Sequence, residues 1–171
     1  MTLATNPEQL LEKLAAELKQ RLQERGIEDP LMVGIHTGGV WLAEQLHKML
    51  AIQQPLATLD ISFYRDDFSR IGMNPQVKTS SLPPQVENCH IILVDDVLQS
   101  GRTIRAAMNE LFDYGRPASI MLACLIERPG RELPIQADAV GQTLELKKNE
   151  QIKLTGPTPL AWEIKRIDEA Q

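Results

Sequence analysis

Two adjacent carboxylates, Asp95 and Asp96, follow the apolar run HIILV and lead into Leu98-Gln99-Ser100-Gly101, then Arg102 and Thr103. A hydrophobic strand that ends in acids presents them where open α/β sheets bind ligands, beyond the carboxyl ends of the strands. Gly101 permits a tight turn and close backbone approach. The N–H groups that open the next helix form an anion site, to which the hydroxyls of Ser100 and Thr103 add donors. Phosphate alone has no use for two acids beside its nest. A ligand with phosphate at one end and hydroxyls or a bound Mg²⁺ at the other does, and a phosphorylated ribose has that layout. The Gly-Lys-Ser/Thr of a nucleotide P-loop is absent.

The elements that must hold this loop read as alternating helices and strands. Asn6 and Pro7 open a helix with Leu10, Leu11, Leu14, Leu18 and Leu22 at helical spacing, stopped by Gly26. Leu31 to Ile35 is a short apolar strand leading through His36-Thr37-Gly38-Gly39 into a helix over 40–50. A strand is predicted over 57–64, and a buried one over 90–94, apolar on both faces as a central parallel strand is. A helix over 102–114, stopped by Gly115, and a strand over 118–126 follow. The order predicts an α/β fold with a mostly parallel central sheet flanked by helices. Residues 65–88 are polar and proline-bearing, the character of a flexible lid loop. Residues 127–171 read as a small C-terminal hood of short strands and turns, all within a single domain over 1–171.

Composition narrows the function classes. The chain has 171 residues, 43% hydrophobic and 24% charged, with a net charge of −5. That balance is a poor footprint for general nucleic-acid binding, which relies on Lys and Arg neutralising phosphates. No apolar run is long enough to span a membrane, and the N-terminus has early acids in place of a signal peptide's apolar core, so a cytoplasmic protein is expected. Cys89 and Cys124 lie in apolar runs and are expected to be reduced packing residues.

VDDVLQSGRT closely resembles the 5-phosphoribosyl 1-pyrophosphate (PRPP) loop of the type I phosphoribosyltransferases. The wider strings GIHTGGVWLA, DISFYRDD, VDDVLQSGRTIRAAMNEL and DYGRPASIMLACLIERPGRELPIQAD resemble the bifunctional pyrimidine-operon regulator/uracil phosphoribosyltransferase family, the PyrR type, from about Leu31 to Gly141. The resemblance implies the type I fold and the reaction of uracil with PRPP to give UMP and pyrophosphate, with Mg²⁺ carried on PRPP. It implies that Asp95 and Asp96 hold the ribose hydroxyls and that Leu98, Gln99, Ser100, Gly101, Arg102 and Thr103 bind the 5′-phosphate. It further implies that Thr37, Gly38 and Gly39 form the pyrophosphate loop, with Arg65 near the leaving group. Leu133, Pro134 and Ile135 would belong to the hood over the nucleobase, and the chain would form a homodimer or homotetramer. The alternative is a regulator that senses UMP or PRPP in the same pocket and binds nucleic acid, with little or no catalysis.

The sequence departs from the family at three places. The pyrophosphate loop reads Thr37-Gly38-Gly39 where family members carry Thr-Arg-Gly, so a cation is missing, with His36 as its nearest stand-in. Gln99 replaces a tyrosine; it also stands where purine enzymes carry an aspartate, and it cannot exchange a proton at neutral pH, which argues against a 6-oxopurine substrate. The stretch Leu154 to Pro159 lacks acids expected near the base pocket. RNA as a partner would use a basic face of the dimer. The N-terminal helix offers acids and bases in equal measure, Gln136 replaces the basic residue after LPI, and Lys147 and Lys148 remain.

Overall fold

The computed structural model describes residues 5–62 and 80–168. Asn6 caps the first helix, α1 (Pro7–Arg25), its side chain accepting from Glu8 N–H, and Gly26 ends it in the left-handed conformation. The chain continues as β1 (Leu31–Ile35), α2 (Gly38–Met49), β2 (Ala57–Leu59), β3 (His90–Leu98), α3 (Arg102–Asp113), β4 (Ser119–Glu127), β5 (Ala139–Thr143), β6 (Glu150–Thr155) and β7 (Ala161–Arg166). Five strands form one parallel sheet in the order β2-β1-β3-β4-β5, and β6 and β7 form a separate antiparallel hairpin.

Three elements differ from the sequence reading. The strand predicted over 57–64 ends at Leu59: pairing with β1 stops at Ile35↔Leu59, and Asp60 then turns the backbone by accepting from Ser62 N–H at 2.9 Å. β3 runs on through Leu98, because Asp95, Val97 and Leu98 keep pairing with Cys124, Ile126 and Glu127 of β4. Part of the stretch read as hood, Ala139–Thr143, is the edge strand of the main sheet. Of the segment 65–88, the described part is fixed to the sheet: Ser81 bridges Thr58, Ser80 Oγ accepts from Asp60 N–H, and Val86 is fully buried.

Both faces of the sheet are covered, as an all-parallel sheet requires. Ile92 and Val94 of β3 point to the layer formed by α1, α2 and the hairpin, with Leu11, Leu14, Leu18, Leu42, Leu46, Ile152 and Leu154. Ile91 and Leu93 point to the opposite layer, where Ile104, Ala107 and Leu111 of α3 pack with Val33 and Leu59. Leu18 is fully buried in the first layer. Truncating it to alanine should cost about 2–5 kcal/mol from lost transfer energy and a cavity. Urea denaturation, read as a drop in midpoint at unchanged slope, checks this.

The strand order places the site. From β1 the chain moves outward to β2; from β3 it moves the other way to β4. The helix after β1 packs on one face and the helix after β3 on the other. A crevice therefore opens between the carboxyl ends of β1 and β3, the topological switch point at which such sheets bind ligands.

Candidate active site

Two helix N-termini flank this crevice. α2 begins at Gly38 after Thr37, whose side chain makes no cap bond, and α3 begins at Arg102 after Gly101, which has none to offer. Neither helix has an acid in its first turn. The first N–H groups of a helix lack partners within it, and the helix dipole makes that end electropositive, so each terminus suits an anion. Gly101 has φ 92°, a backbone state that favours glycine, which is why the turn needs that residue. Within the turn, Ser100 Oγ accepts from Arg102 N–H at 3.1 Å.

The carboxylates stand between the two termini. Asp95 is buried and its Oδ1 accepts from Asp96 N–H; Asp96 is half-buried and its Oδ1 accepts from Val97 N–H, each at 2.9 Å. The turn 37–39 lies directly on these residues. A methyl group built on Gly38 would overlap Asp96 Oδ2 and stand 2.8 Å from its Cγ; one on Gly39 would stand 2.5 Å from the Val94 carbonyl oxygen. Glycine at both positions is what lets α2 start against β3.

The hood packs on the other side of the phosphate turn. Ser100 O accepts from both Glu132 N–H and Leu133 N–H, at 3.0 and 3.1 Å, and Arg102 Nε pairs with Glu132 at 2.7 Å. Leu133 and Ile135 pack over Gly101 closely enough that a methyl group there would stand 3.2 Å from Ile135 Cβ, tighter than ordinary contact. Pro134 is exposed. A pocket of about 270 Å³ opens beside the turn, lined by Leu98, Gln99, Arg128, Arg131, Ile135 and Gln136 among others.

Sequence reasoning missed Arg128. Its Nη1 donates to Gln99 Oε1 at 3.4 Å and its Nη2 to Glu150 O at 3.3 Å, while Nε is buried with no partner among the described residues. Burial lowers its pKa from the ordinary guanidinium value. Its place just after β4, at the ligand-binding end of the sheet, is the signal that could have found it.

Comparison with known proteins gives the arrangement its family. The phosphoribosyl transferase domain matches residues 4–158. Bifunctional protein PyrR of Pseudomonas paraeruginosa (strain DSM 24068 / PA7) is 59% identical over 165 residues, 96% of this chain and 97% of that protein. Bifunctional protein PyrR of Nitrosococcus oceani is 58% identical over 168 residues, 97% and 95% of the two chains. The chain belongs to the PyrR family of phosphoribosyltransferases. Among solved structures, the hypoxanthine phosphoribosyltransferase of Trypanosoma cruzi superposes with a TM-score of 0.66 at 18% identity, covering 89% of this chain and 85% of that one. A hypoxanthine phosphoribosyltransferase from Staphylococcus aureus gives 0.62 at 22%, covering 82% and 75%. At such identities the likeness shows the type I phosphoribosyltransferase fold, as the PyrR resemblance led us to expect.

The PyrR-type residues named from the sequence divide as follows. Asp95, Asp96, Thr37, Gly38 and Gly39 meet at the crevice; Leu98 to Thr103 form the adjoining turn and helix start. Leu133 and Ile135 abut that turn, and of the hood trio only Ile135 lines the pocket. Arg65 lies outside the described residues. His36 N–H donates to Leu59 O at 2.9 Å, which fixes the backbone entering the turn. The stretch Leu154 to Pro159 closes the β6–β7 hairpin instead of lining the pocket; Leu154 is buried in the α1-side core, and Gly156 lies against Trp41 of α2.

Cys124, beside Asp95 in the sheet, is fully buried. Burial first, and the neighbouring carboxylates Asp95, Glu127 and Asp96 after it, push its thiol pKa far up, so it stays protonated and inert. A thiol raised in the folded state gives stability that is complete below the unfolded thiol's pKa of about 8.5 and fades as pH climbs above it. In the native protein a thiol-reactive dye at pH 7.5 should therefore label no more than Cys89, and both cysteines only after unfolding.

Proposed function

We propose that the chain is a uracil phosphoribosyltransferase, joining uracil to PRPP to give UMP and pyrophosphate in pyrimidine salvage in the cytoplasm. The observation that carries this is the pair of helix N-termini, at Gly38 and Arg102, that stand on either side of Asp95 and Asp96 with no acid in their first turns. PRPP has anions at both ends of a ribose that presents two hydroxyls, and the crevice matches that order.

In this reading the α3 terminus, with Ser100 and Thr103, binds the 5′-phosphate. Asp95 and Asp96 accept from the ribose hydroxyls, and the N–H groups of Thr37, Gly38 and Gly39 face the pyrophosphate. Arg65 stands by the leaving group. The base lies in the pocket beside Gln99, against the hood residue Ile135, with Leu133 and Pro134 outside the lining. Hard carboxylate oxygens at Asp95 and Asp96 suit Mg²⁺, which would be held together with PRPP's own oxygens and would neutralise the departing pyrophosphate. The protein's share is positioning and electrostatics: the two helix ends fix the anions while C1 gains oxocarbenium character. The family resemblance further supports a homodimer or homotetramer.

A second reading is a regulator that senses UMP or PRPP and binds pyrimidine-gene RNA, with weak catalysis. The missing cation at Gly38 favours it, and the net charge of −5 disfavours its RNA half. Pyrophosphate release measured with PRPP, Mg²⁺ and a panel of bases separates the two. Turnover with uracil above cytosine, hypoxanthine and guanine supports the enzyme. Tight UMP binding without turnover favours the regulator, which in turn falls if leader RNA shows no gel shift at low salt with or without UMP.

A further inference from the structure

The pocket under the hood is lined by a half-buried cation, Arg128, that pairs with no carboxylate among the described residues. Its two hydrogen bonds are long and go to neutral oxygens, at 3.4 Å from Nη1 to Gln99 Oε1 and 3.3 Å from Nη2 to the Glu150 carbonyl. Nε is buried without a partner. The carboxylate of Glu150 is occupied elsewhere, accepting from Lys147 N–H at 3.1 Å. Arg131, the other cation of the lining, is exposed. Gln99 is held in turn: its Nε2 donates to Pro129 O at 3.5 Å and lies over Gly130, where a methyl group would stand 3.3 Å from it. That leaves Oε1 facing the guanidinium. A charge withdrawn from water without a counter-charge is costly, and in a cleft it marks a place where a ligand supplies the missing acceptor.

We propose that Arg128 is a catalytic residue that stabilises the ring anion of the pyrimidine as its N1 attacks C1 of PRPP, with Gln99 as the positioning residue that holds the guanidinium. The inference rests on the proposed function, which puts the base in this pocket. N1 of a neutral pyrimidine-2,4-dione carries a proton and is a poor nucleophile. As the N1–C1 bond forms, the bond from C1 to pyrophosphate oxygen breaks, its electron pair leaves with the pyrophosphate, and the N1 proton passes to solvent. Negative charge gathers on the ring carbonyl oxygens along the way. A guanidinium donating to one of them in a partly desolvated pocket favours that form over the neutral ring. The desolvation that lowers the guanidinium's own pKa is offset when the anion forms beside it.

Steady-state assay of the full chain with PRPP and Mg²⁺, using uracil and the more acidic 5-fluorouracil, tests this. Arg128→Gln should lower kcat/KM for uracil by about 10²-fold, the scale of losing one donor aimed at developing charge. The fluorinated ring forms its anion with less help, so the ratio of kcat/KM for 5-fluorouracil to that for uracil should rise by about fivefold or more. KM for PRPP should stay within about twofold of the wild type, because Arg128 acts on the base. Gln99→Glu leaves the guanidinium in place and brings a carboxylate to the 3.4 Å contact, which should raise the same ratio. A packing defect would slow both bases alike and leave the ratio where it was. A ratio unmoved in Arg128→Gln, or unmoved in Gln99→Glu where circular dichroism shows Arg128→Gln unfolded, overturns the proposal. No turnover of either base by the wild type overturns the uracil reading itself, a result distinct from an unmoved ratio in an active enzyme.

Discussion

Gly39→Ala should destabilise the protein by about 1–3 kcal/mol, the usual cost of overpacking, and remove most of its turnover. Helix propensity alone predicts the reverse, since alanine is about 1 kcal/mol better than glycine inside a helix. The opposite sign follows from what the methyl group meets. It would stand 2.5 Å from the Val94 carbonyl oxygen and 3.2 Å from Asp95 Cα, backbone atoms of a central strand paired on both sides. Those atoms cannot rotate away, so α2 must lift. Lifting it moves the 37–39 turn away from Asp95 and Asp96, and a displacement of about 1 Å at a reacting centre can cost about 10²-fold in rate. Thermal unfolding and steady-state assay of the same sample check both halves. Unchanged Tm and unchanged kcat together would show that the turn does not need its close seat on β3.

Asp96→Asn should lower kcat/KM for PRPP by roughly 10- to 150-fold, the equivalent of about 1.5–3 kcal/mol for a hydrogen bond to a charged group. The fold should be intact. The asparagine amide oxygen can still accept from Val97 N–H, and the half-buried position requires no buried charge. Denaturant midpoint and kinetics measured in parallel separate the two effects. Activity at the wild-type level would remove Asp96 from the ribose contact.

Most of the scaffold was legible because its signals are local. Asn6 and Gly26 bound α1 as capping chemistry requires, and the leucine spacing of α1 marks the face it buries. The unbroken apolar run before Asp95 marked β3 as central. What was not legible depends on partners far along the chain. β3 continues through two aspartates, poor strand formers, because β4 goes on pairing with it. Ala139–Thr143 reads as an isolated short strand until β4 is there to receive it. Ala57–Leu59 ends early because Asp60 captures Ser62 N–H, a local competition that the β-branched and aromatic residues around it concealed.

The site divides along the same line. The phosphate turn is contiguous, so its residue types and order disclose an anion site. The seat of Gly38 on Asp96 joins two loops through strand order, and from the sequence alone Gly38 is only a missing arginine. Arg128 and Glu132 likewise acquire meaning through the turn they touch, at Gln99 and Arg102. The hood residue Pro134, by contrast, is exposed and outside the pocket lining, because the backbone of Glu132 and Leu133 is what ties the hood to Ser100.

A crystal structure of the full chain with UMP and Mg²⁺ tests the central claim most directly. The account predicts the 5′-phosphate at the α3 N-terminus, accepting from N–H groups in the Ser100–Thr103 turn, with both ribose hydroxyls on Asp95 and Asp96 and the base beside Gln99. A nucleotide bound elsewhere, or one in this crevice with its ribose turned away from the two aspartates, would contradict it.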